Sequence, residues 1–442
     1  MSIGILAYGA YVPSYRLGND SGVRGRRVVA SFDENATTMA VEAARGLSAE
    51  GSLWWASTSP PYLDKTNAAA VHAALRLPSD VPAADLVGSA RSTFAGIRAA
   101  NAAGGLVVAA DVRVGKPGSL DEKSGGDGAA ALLFGEGDAI AEVLGVAGDT
   151  LELLDRWRDP QRMTGEQWEE RFGFEQYADL VRTVATRLLD QASLAEADHV
   201  VVTSGNLGIT KRAGAVVKGA LSSGASPIGF SGAADPLLGL AAVLDVAGPG
   251  ETILVLSAVD GCDGLLLRTT DELVSNRAAR PVTAQLEVGR EVPYPTYLSW
   301  RGLLERELPR RPEPDRPAAP PSARATGWKF GLAGSRCTAC GFVHLPPLRV
   351  CRDCGAVDTM EPVSAADLTG KVATFTVDRL AFSPSPPVVD VVVDFAGGGR
   401  TTLEVADADP DAVAVGSEVR LVFRRLFTAG NVHNYFWKSK VI

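Results

Sequence analysis

The chain has 442 residues, 46% of them hydrophobic, which is enough for roughly two or three domains with substantial cores. Its formal net charge of −9 argues against nucleic acid as a partner, because nucleic-acid-binding proteins are commonly basic. There is no apolar run of about 18 residues, and the first residues do not have the pattern of a signal peptide. We therefore expect no membrane partner and a cytoplasmic location.

Strand-like and helix-like segments alternate along roughly the first three hundred residues. Short apolar runs at 106–110, 199–202 and 252–256 are typical of buried parallel strands. Alanine-rich and leucine-rich stretches at 38–44 and 236–246 have the spacing of buried helices. This alternation predicts an α/β domain.

The composition changes at a proline-rich stretch, 309–325. Proline favours extended backbone, so we interpret this stretch as a connection between domains, although a loop packed on one domain would have the same composition. Beyond it, short segments alternate apolar and polar residues with a period of two, which predicts a small β-barrel or sandwich. These segments are 372–377, 389–395, 401–405 and 419–423.

Four of the five cysteines form two Cys-x-x-Cys pairs, and a glycine follows each pair. They are Cys337, Cys340, Cys351 and Cys354. Each pair can form a tight knuckle, since glycine permits the positive φ that such a turn requires. Two knuckles supply four thiolates for a tetrahedral zinc ion, and a site closed by four protein ligands is structural. Two disulfides or a redox pair are the alternatives.

The region around these cysteines resembles the acyl-CoA-associated OB-fold/zinc-ribbon family. The resemblance rests on the two knuckles with Pro346 and Pro347 between them, the strand at 419–423, and Tyr435-Phe436. It implies a linker at 306–327, a zinc ribbon at 328–362 and an OB-type β-barrel at 363–442. Members of this family usually accompany thiolase-like enzymes. OB barrels also bind single-stranded nucleic acid, but this segment is largely acidic and apolar.

Residues 1–305 resemble the thiolase superfamily, and most closely the archaeal-type 3-hydroxy-3-methylglutaryl-CoA (HMG-CoA) synthases. The matching stretches, in order, are 4–13, 33–44, 115–118, 125–131 and 237–245. The resemblance implies a five-layered αβαβα domain built from two similar halves. It also implies a homodimer, a CoA thioester as the substrate, and a second thiolase-like subunit as a candidate partner.

The catalytic residues of that family do not carry over to this chain. Such enzymes use a cysteine nucleophile at a helix N-terminus, together with a glutamate, a histidine and asparagines. The cysteine position falls on Ala90, or on Ser89 with a shift of one residue. The glutamate position falls on Thr58, the histidine position on Thr203, and the second-half asparagine position near Phe230, whereas Asn206 matches.

Other residues are candidates to replace the missing groups. Ser89 is a possible nucleophile, but it has no evident histidine base and is equally suited to cap a helix. The loop at 260–264 brings Asp260 and Asp263 beside Cys262. Either carboxylate is a candidate general base, although aspartate and glycine are also common in simple turns. The carboxylates disfavour a Cys262 thiolate.

A short basic cluster follows Asn206. Lys211 and Arg212 have the charge needed to bind the phosphates of CoA, although an exposed helix face would have the same residues.

Two functions are compatible with these features. The first is an enzyme that makes or breaks a C–C bond of an acyl-CoA thioester by aldol, retro-aldol or condensation chemistry, without the usual cysteine. The second is a non-catalytic scaffold that binds acyl-CoA or a partner subunit. We favour the enzyme, because the loops expected at the cavity are rich in polar residues.

Overall fold

The computed structural model describes residues 3–18, 27–48, 51–223, 228–307 and 315–442. The chain divides into two compact units. The second unit contains Ser31–Glu34, Ala70–Arg76 and Pro295–Ile442, and the first contains the remainder. The proline-rich residues 309–314 of the predicted linker lie outside the described residues.

The first half of the α/β region begins at β1 and ends at β7. In chain order it comprises β1 (Gly4–Tyr11), β2 (Tyr15–Leu17), β3 (Val28–Val29), α1 (Ala36–Ala44), β4 (Ser52–Ser57), α2 (Ala68–Leu75), β5 (Ala83–Val87), α3 (Ser92–Ala103), β6 (Gly105–Asp111), α4 (Leu120–Ser124) and β7 (Gly128–Gly135).

The second half continues from β7. It comprises β8 (Ala141–Thr150), β9 (Arg156–Trp157), β10 (Glu166–Gln167), α5 (Glu170–Gln191), β11 (Ala197–Ser204), α6 (Leu207–Lys211), α7 (Ala213–Val216), β12 (Gly219–Ser223), α8 (Asp235–Leu244), β13 (Thr252–Ala258), β14 (Gly261–Thr269), α9 (Glu272–Ser275), α10 (Val282–Glu287), β15 (Arg290–Val292) and α11 (Tyr294–Trp300).

The two halves share one strand order. In the ten-stranded sheet, the first half runs β5-β4-β6-β7-β1 and the second runs β12-β11-β13-β14-β8. Counting only the strands of this sheet in chain order, each half places its third strand at one end and its first strand at the other. In both halves the three leading strands are parallel and the last two pairings are antiparallel. A short pairing of β1 with β8 joins the halves. The predicted pair of similar halves is therefore present.

Buried strands and helices form the layers of this unit. All residues of β6 and β13 are buried, as their apolar sequences predicted. Helix α8 packs against strands of both halves, whereas α1 packs on the first half and α5 on the second. Helix α1 begins with a capping box, in which Asn35 and Thr38 exchange hydrogen bonds. The order of packing is that of a five-layered αβαβα domain.

The second unit contains two antiparallel sheets. Its elements beyond α11 are α12 (Ala319–Arg324), α13 (Thr326–Gly331), β16 (Ala333–Cys337), β17 (Val343–His344), β18 (Met360–Ser364), β19 (Gly370–Asp378), β20 (Val388–Phe395), β21 (Arg400–Glu404), β22 (Glu418–Ala429) and β23 (Val432–Val441). The three-stranded sheet β17-β16-β18 contains the first cysteine knuckle, and the five-stranded sheet β21-β20-β19-β22-β23 contains the segments of period two.

The described part of the linker differs from the extended chain that we predicted. Residues 319–324 form helix α12, with proline in its first turn. Proline is compatible with that position, because the first N–H groups of a helix have no partner within the helix. No helix in the described part of the chain has both the length and the apolar character needed to cross a membrane.

Buried ion pairs stabilise the second unit. Arg424 and Lys438 are at most 1% exposed. Arg424 contacts Glu34 at 2.9 Å, and Lys438 contacts Asp33 at 2.9 Å and Glu404 at 2.5 Å. Burying a cation costs free energy unless a carboxylate compensates its charge. These ion pairs therefore hold residues 31–34 in place within the unit.

One buried carboxylate connects the ends of several elements in the first unit. Asp111, at the end of β6, is fully buried and accepts six hydrogen bonds. Five come from Ser57, Thr58 and Ser59, and the sixth comes from the backbone N–H of Ala233, in the turn before α8. Asp111 therefore links the two halves of the first unit.

We predict that Gly232→Ala destabilises the protein by about 2–4 kcal/mol, because the residue has φ of +61° and a β-carbon would lie 2.1 Å from the Asp111 carboxylate. Gly250→Ala is the matched control, since Gly250 has φ of +78° but nothing within 4 Å of a β-carbon. Urea denaturation of both variants measures the difference. Equal losses of stability would show that crowding against Asp111 is unimportant.

Candidate functional site

A cavity of about 160 Å³ lies in the first unit, at the carboxyl ends of its strands. Its lining comes from the segments that follow β4, β5, β6, β8, β11 and β13, and from Phe230 before α8. Ligand sites of α/β proteins commonly occupy this edge, because the connecting loops converge there. The cavity therefore combines residues from both halves of the unit.

Ala90 and Ser89, the two residues predicted at the cysteine position, both line this cavity. They lie just before the first turn of α3. The Ser89 hydroxyl donates to Asp260 Oδ2 at 3.0 Å and accepts from the Arg91 N–H at 3.2 Å. Among the described residues, no cysteine or histidine lines the cavity. A serine–histidine pair is thus not part of this site.

One wall of the cavity is acidic. Asp155 and Asp260 line it, together with Tyr177 of α5. The Tyr177 hydroxyl donates to Asp155 Oδ1 at 2.9 Å and accepts from the Asp260 N–H at 3.3 Å. Burial raises the pKa of Asp155 above its usual range, and burial together with Asp155 raises the pKa of Tyr177. Tyr177 therefore stays neutral and acts as a hydrogen-bond donor.

Two arginines, Arg113 and Arg156, also line the cavity. The guanidinium carbons of Arg113 and Arg156 lie 5.3 and 5.4 Å from the centroid of the Phe230 ring. Arg156 pairs with Asp121 at 2.5 Å, and Arg113 donates to Thr58 Oγ1 at 3.0 Å. Burial, followed by the neighbouring Arg156, lowers the pKa of Arg113. Both cations are positioned to stabilise negative charge that develops inside the cavity.

Of the other residues predicted at catalytic positions of the family, some line the cavity and one does not. Thr58 lines the cavity and its hydroxyl donates to Asp111. Asn206 also lines it, but its side chain caps α6 and donates to the Glu170 carbonyl. Thr203 is buried within β11, donates to the Leu256 carbonyl at 3.3 Å and is not part of the lining. The structure thus brings Thr58 and Asn206 to the cavity with Ser89, Ala90 and Asp260.

The predicted loop at 260–264 is shorter than the sequence suggested. Ala258 pairs with Cys262 across the β13–β14 hairpin, so the turn has only three residues. Cys262 and Asp263 are therefore in strand β14, and both are buried outside the cavity. Burial raises the pKa of Cys262. Asp263 pairs with Arg91 at 2.6 Å and Arg98 at 2.8 Å.

Lys211 and Arg212 are exposed at the end of α6 and do not line the cavity. The Arg212 guanidinium lies 4.8 Å from the centroid of the Phe174 ring. The sequence reasoning did not identify Asp111, Arg113, Asp155, Arg156 or Tyr177. A polar residue directly after the apolar run 106–110 was a usable signal for Asp111, but the region around Asp155 has no periodic pattern.

The four knuckle cysteines come together in the second unit. Their sulfur atoms all lie within 4.8 Å of one another, and the pairs Cys337–Cys354 and Cys340–Cys351 are separated by 3.7 and 3.5 Å. These are not disulfides. Gly341 and Gly355 have φ of +80° and +75°, as the knuckle prediction required. The cluster is arranged to bind one metal ion.

We predict that Asp263→Asn lowers the free energy of unfolding by about 1–3 kcal/mol, because it leaves Arg91 and Arg98 without their shared carboxylate. The partial exposure of both arginines keeps the loss below that of a fully buried pair. Asp179→Asn is the control, since Asp179 pairs with Arg182 on the surface. If both variants unfold at the same urea concentration, the Asp263 pairs do not contribute.

Two family models match the second unit. Residues 331–359 match the rubredoxin-like zinc ribbon domain of ChsH2, and residues 363–424 match the C-terminal OB-fold domain of ChsH2. The predicted zinc ribbon and OB-type barrel are confirmed.

The first unit is similar to HMG-CoA synthases. The chain is 31% identical over 343 residues to the hydroxymethylglutaryl-CoA synthase of Archaeoglobus fulgidus, a match that covers 69% of this chain and 99% of that protein. A crystal structure of HMG-CoA synthase complexed with CoA has a TM-score of 0.59 at 16% identity, and it covers 67% of this chain and 89% of that one. PksG, an HMG-CoA synthase from Bacillus subtilis, has a TM-score of 0.58 at 18% identity, with 69% and 89% covered. The structural matches establish the thiolase-like fold, and the sequence match establishes that the chain belongs to the hydroxymethylglutaryl-CoA synthase family.

Proposed function

We propose that this protein acts on acyl-CoA thioesters and makes or breaks a carbon–carbon bond by aldol or retro-aldol chemistry, without a covalent acyl-cysteine. The observation that carries the proposal is that Ala90 and Ser89, the two residues on which we predict the family's cysteine position to fall, both line the cavity, whereas no described cysteine does. The methyl side chain of alanine has no nucleophilic atom that could accept an acyl group. Support for a CoA thioester comes from the family relatives and from the solved HMG-CoA synthase that was captured with CoA.

The side chains of the cavity are suited to acid–base chemistry. Aldol and retro-aldol reactions need a base, a proton donor and a group that stabilises the enolate oxygen. Asp155 and Asp260 are candidate bases on the acidic wall. Arg113 and Arg156 also line the cavity and supply positive charge. Thr58, Ser89 and Asn206 add polar groups, and their catalytic participation, like that of Thr203 and Asp263, stays a prediction.

A non-catalytic scaffold is the alternative function. The same cavity would then hold an acyl-CoA without turnover, and Lys211 and Arg212 would serve only to bind CoA phosphates. A homodimer through the first unit and a second thiolase-like subunit as partner stay predictions under either function.

We predict that the protein converts 3-hydroxyacyl-CoA thioesters into a shorter acyl-CoA and a carbonyl product, or catalyses the reverse condensation. Liquid chromatography with mass spectrometry measures both products for a panel of chain lengths. Intact-protein mass spectrometry should detect no acyl adduct on the protein, since the cavity has no cysteine. A stable acyl adduct would contradict this mechanism, and absence of turnover across the panel would favour the scaffold.

Ala90→Cys provides a direct test of whether the acyl group reaches this wall. With acetyl-CoA, this variant should gain the mass of one acetyl group, because a helix N-terminus favours a thiolate. Val87→Cys is the control, since Val87 is exposed and outside the cavity lining. Equal labelling of the two variants would mean that the cavity does not direct the thioester to this position.

We propose further that the four-cysteine cluster binds zinc in a structural role. In a tetrahedral site with Zn–S bonds of about 2.3 Å, neighbouring sulfur atoms are about 3.8 Å apart. The pairs at 3.7 and 3.5 Å are close to that spacing. Four thiolates would leave no coordination position for a substrate, so the ion would stabilise the fold of the second unit.

We predict about one zinc ion per chain, measured by plasma mass spectrometry of the purified protein. Cys351→Ser should lose the zinc and lower the melting temperature, because metal binding contributes to folding free energy. Cys262→Ser is the matched control, since Cys262 is a buried cysteine outside the cluster. Zinc that persists in Cys351→Ser, or its loss from Cys262→Ser, would place the metal elsewhere.

A further inference from the structure

We propose that Asp155 is the general base of the cavity and that Tyr177 is the positioning residue that holds its carboxylate. This inference rests on the proposed function and adds the group that moves the proton. Neither residue occupies a position at which the family's cysteine, glutamate, histidine or asparagine falls in this chain.

The structure fixes the Asp155 carboxylate in the lining of the cavity. Oδ1 accepts from the Tyr177 hydroxyl at 2.9 Å, and the phenol oxygen is in turn held by the Asp260 N–H at 3.3 Å. The backbone of Asp155 is fixed as well, because its carbonyl accepts from the Trp168 N–H at 2.8 Å. Within the described ranges, no donor of another residue reaches Oδ2 of Asp155. A carboxylate held at a fixed position in the lining of a cavity is the arrangement that a general base requires.

The other carboxylates near the cavity are engaged. Asp111 accepts six hydrogen bonds with its two oxygens. Asp121 pairs with Arg156, and Asp263 pairs with two arginines outside the lining. Asp260 accepts from the Ser89 hydroxyl, and its backbone carbonyl accepts from Arg91. Asp155 and Asp260, the two carboxylates of the lining, each accept one hydrogen bond from the side chain of another residue, and the partner of Asp155 is deeply buried, since Tyr177 is 2% exposed.

The surroundings of Asp155 raise its basicity above that of an ordinary aspartate. The titratable and charged groups that face it are Tyr177 of α5, Arg156 beside it, Asp260 of the β13–β14 turn and Glu170 at the start of α5. Burial and Asp260 raise the pKa of Asp155, whereas the Tyr177 hydrogen bond and Arg156 lower it, and the net direction is upward. Arg113 also lines the cavity and forms no ion pair within 4 Å of a described carboxylate, although Asp121 and Asp111 attract its charge from farther away, so its guanidinium is available to an enolate.

The proton transfer balances in both directions. In cleavage, Asp155 accepts the proton of the 3-hydroxyl group, the C2–C3 bond breaks, and its electron pair forms the thioester enolate beside Arg113. The released carbonyl product carries the former hydroxyl oxygen. Protonated Asp155 then returns the proton to C2 and yields the shorter acyl-CoA. In condensation the same residue first removes the C2 proton and then protonates the new alkoxide.

The test is hydrogen exchange at C2, which requires neither the natural carbonyl partner nor C–C bond cleavage. Acetyl-CoA and propionyl-CoA are incubated with the full chain in D₂O, and deuterium at C2 is measured by mass spectrometry. We expect exchange by the native protein and a loss of about 100-fold or more in Asp155→Asn. Asp179→Asn removes an exposed carboxylate from the same helix as Tyr177 and should leave the exchange rate unchanged.

Tyr177→Phe tests the positioning role separately. The Tyr177 hydrogen bond lowers the pKa of Asp155, so its removal should raise that pKa. In a plot of exchange rate against pH, the fall in rate on the acidic side should then occur at higher pH. Tyr8→Phe is the matched control, because Tyr8 is a buried tyrosine that donates to Asp245 at 2.8 Å away from the cavity. Tyr8→Phe should lower the stability of the protein without changing the pH dependence of the exchange rate. Circular dichroism checks that each variant is folded.

The outcomes separate this inference from the proposed function. Exchange that persists in folded Asp155→Asn, or no exchange above buffer by the native protein, would overturn the assignment of the base. An unchanged pH dependence in Tyr177→Phe would overturn the positioning role. Asp155-dependent exchange without any C–C product would support the base and argue against the proposed reaction. C–C cleavage that continues in Asp155→Asn would support the reaction and overturn the base.

Discussion

The cavity depends on the buried carboxylate of Asp111. Because it is fully buried, its charge is tolerable only while its six hydrogen bonds are satisfied. The donors come from the end of β4 in one half and from the turn before α8 in the other. The same carboxylate thus fixes Thr58 on one wall and the turn that follows Phe230 on another. Movement of either half would leave buried polar groups unpaired, so the shape of the site is tied to the stability of the unit.

Under the proposed function, the chemistry within this fixed frame differs from that of a covalent thiolase-like enzyme. The tip of α3 is retained, but it presents Ala90 and Ser89, and the Ser89 hydroxyl is bonded to Asp260 and not to a histidine. A helix tip stabilises negative charge whether or not a nucleophile is attached to it. The wall is therefore still suited to a thioester oxygen, while proton transfer falls to the acidic wall and charge stabilisation to Arg113.

The sequence was sufficient to predict features that depend on neighbouring residues, but not contacts between segments that are distant along the chain. Apolar runs located β6 and β13, and cysteine spacing located the metal cluster, because both patterns are local. The 260–264 loop was wrong in length, since only the cross-strand pairing of Ala258 with Cys262 places Cys262 and Asp263 in β14. Asp155 and Tyr177 are 22 residues apart and meet only after α5 has packed. Such pairs carry no periodic or spacing signal.

The cost of the cavity's charges is itself an argument that the site is used. Burial penalises the ionised form of Asp155 and also the charge of Arg113, and the electrostatic attraction of Asp121 and Asp111 offsets the penalty on Arg113 only in part, so that its pKa is lowered. In the second unit, by contrast, the buried Arg424 and Lys438 are compensated by carboxylates. A cavity without a ligand would gain stability by replacing Asp155 and Arg113 with apolar residues. Incompletely compensated charge at a fixed geometry is instead typical of sites whose partner is the substrate.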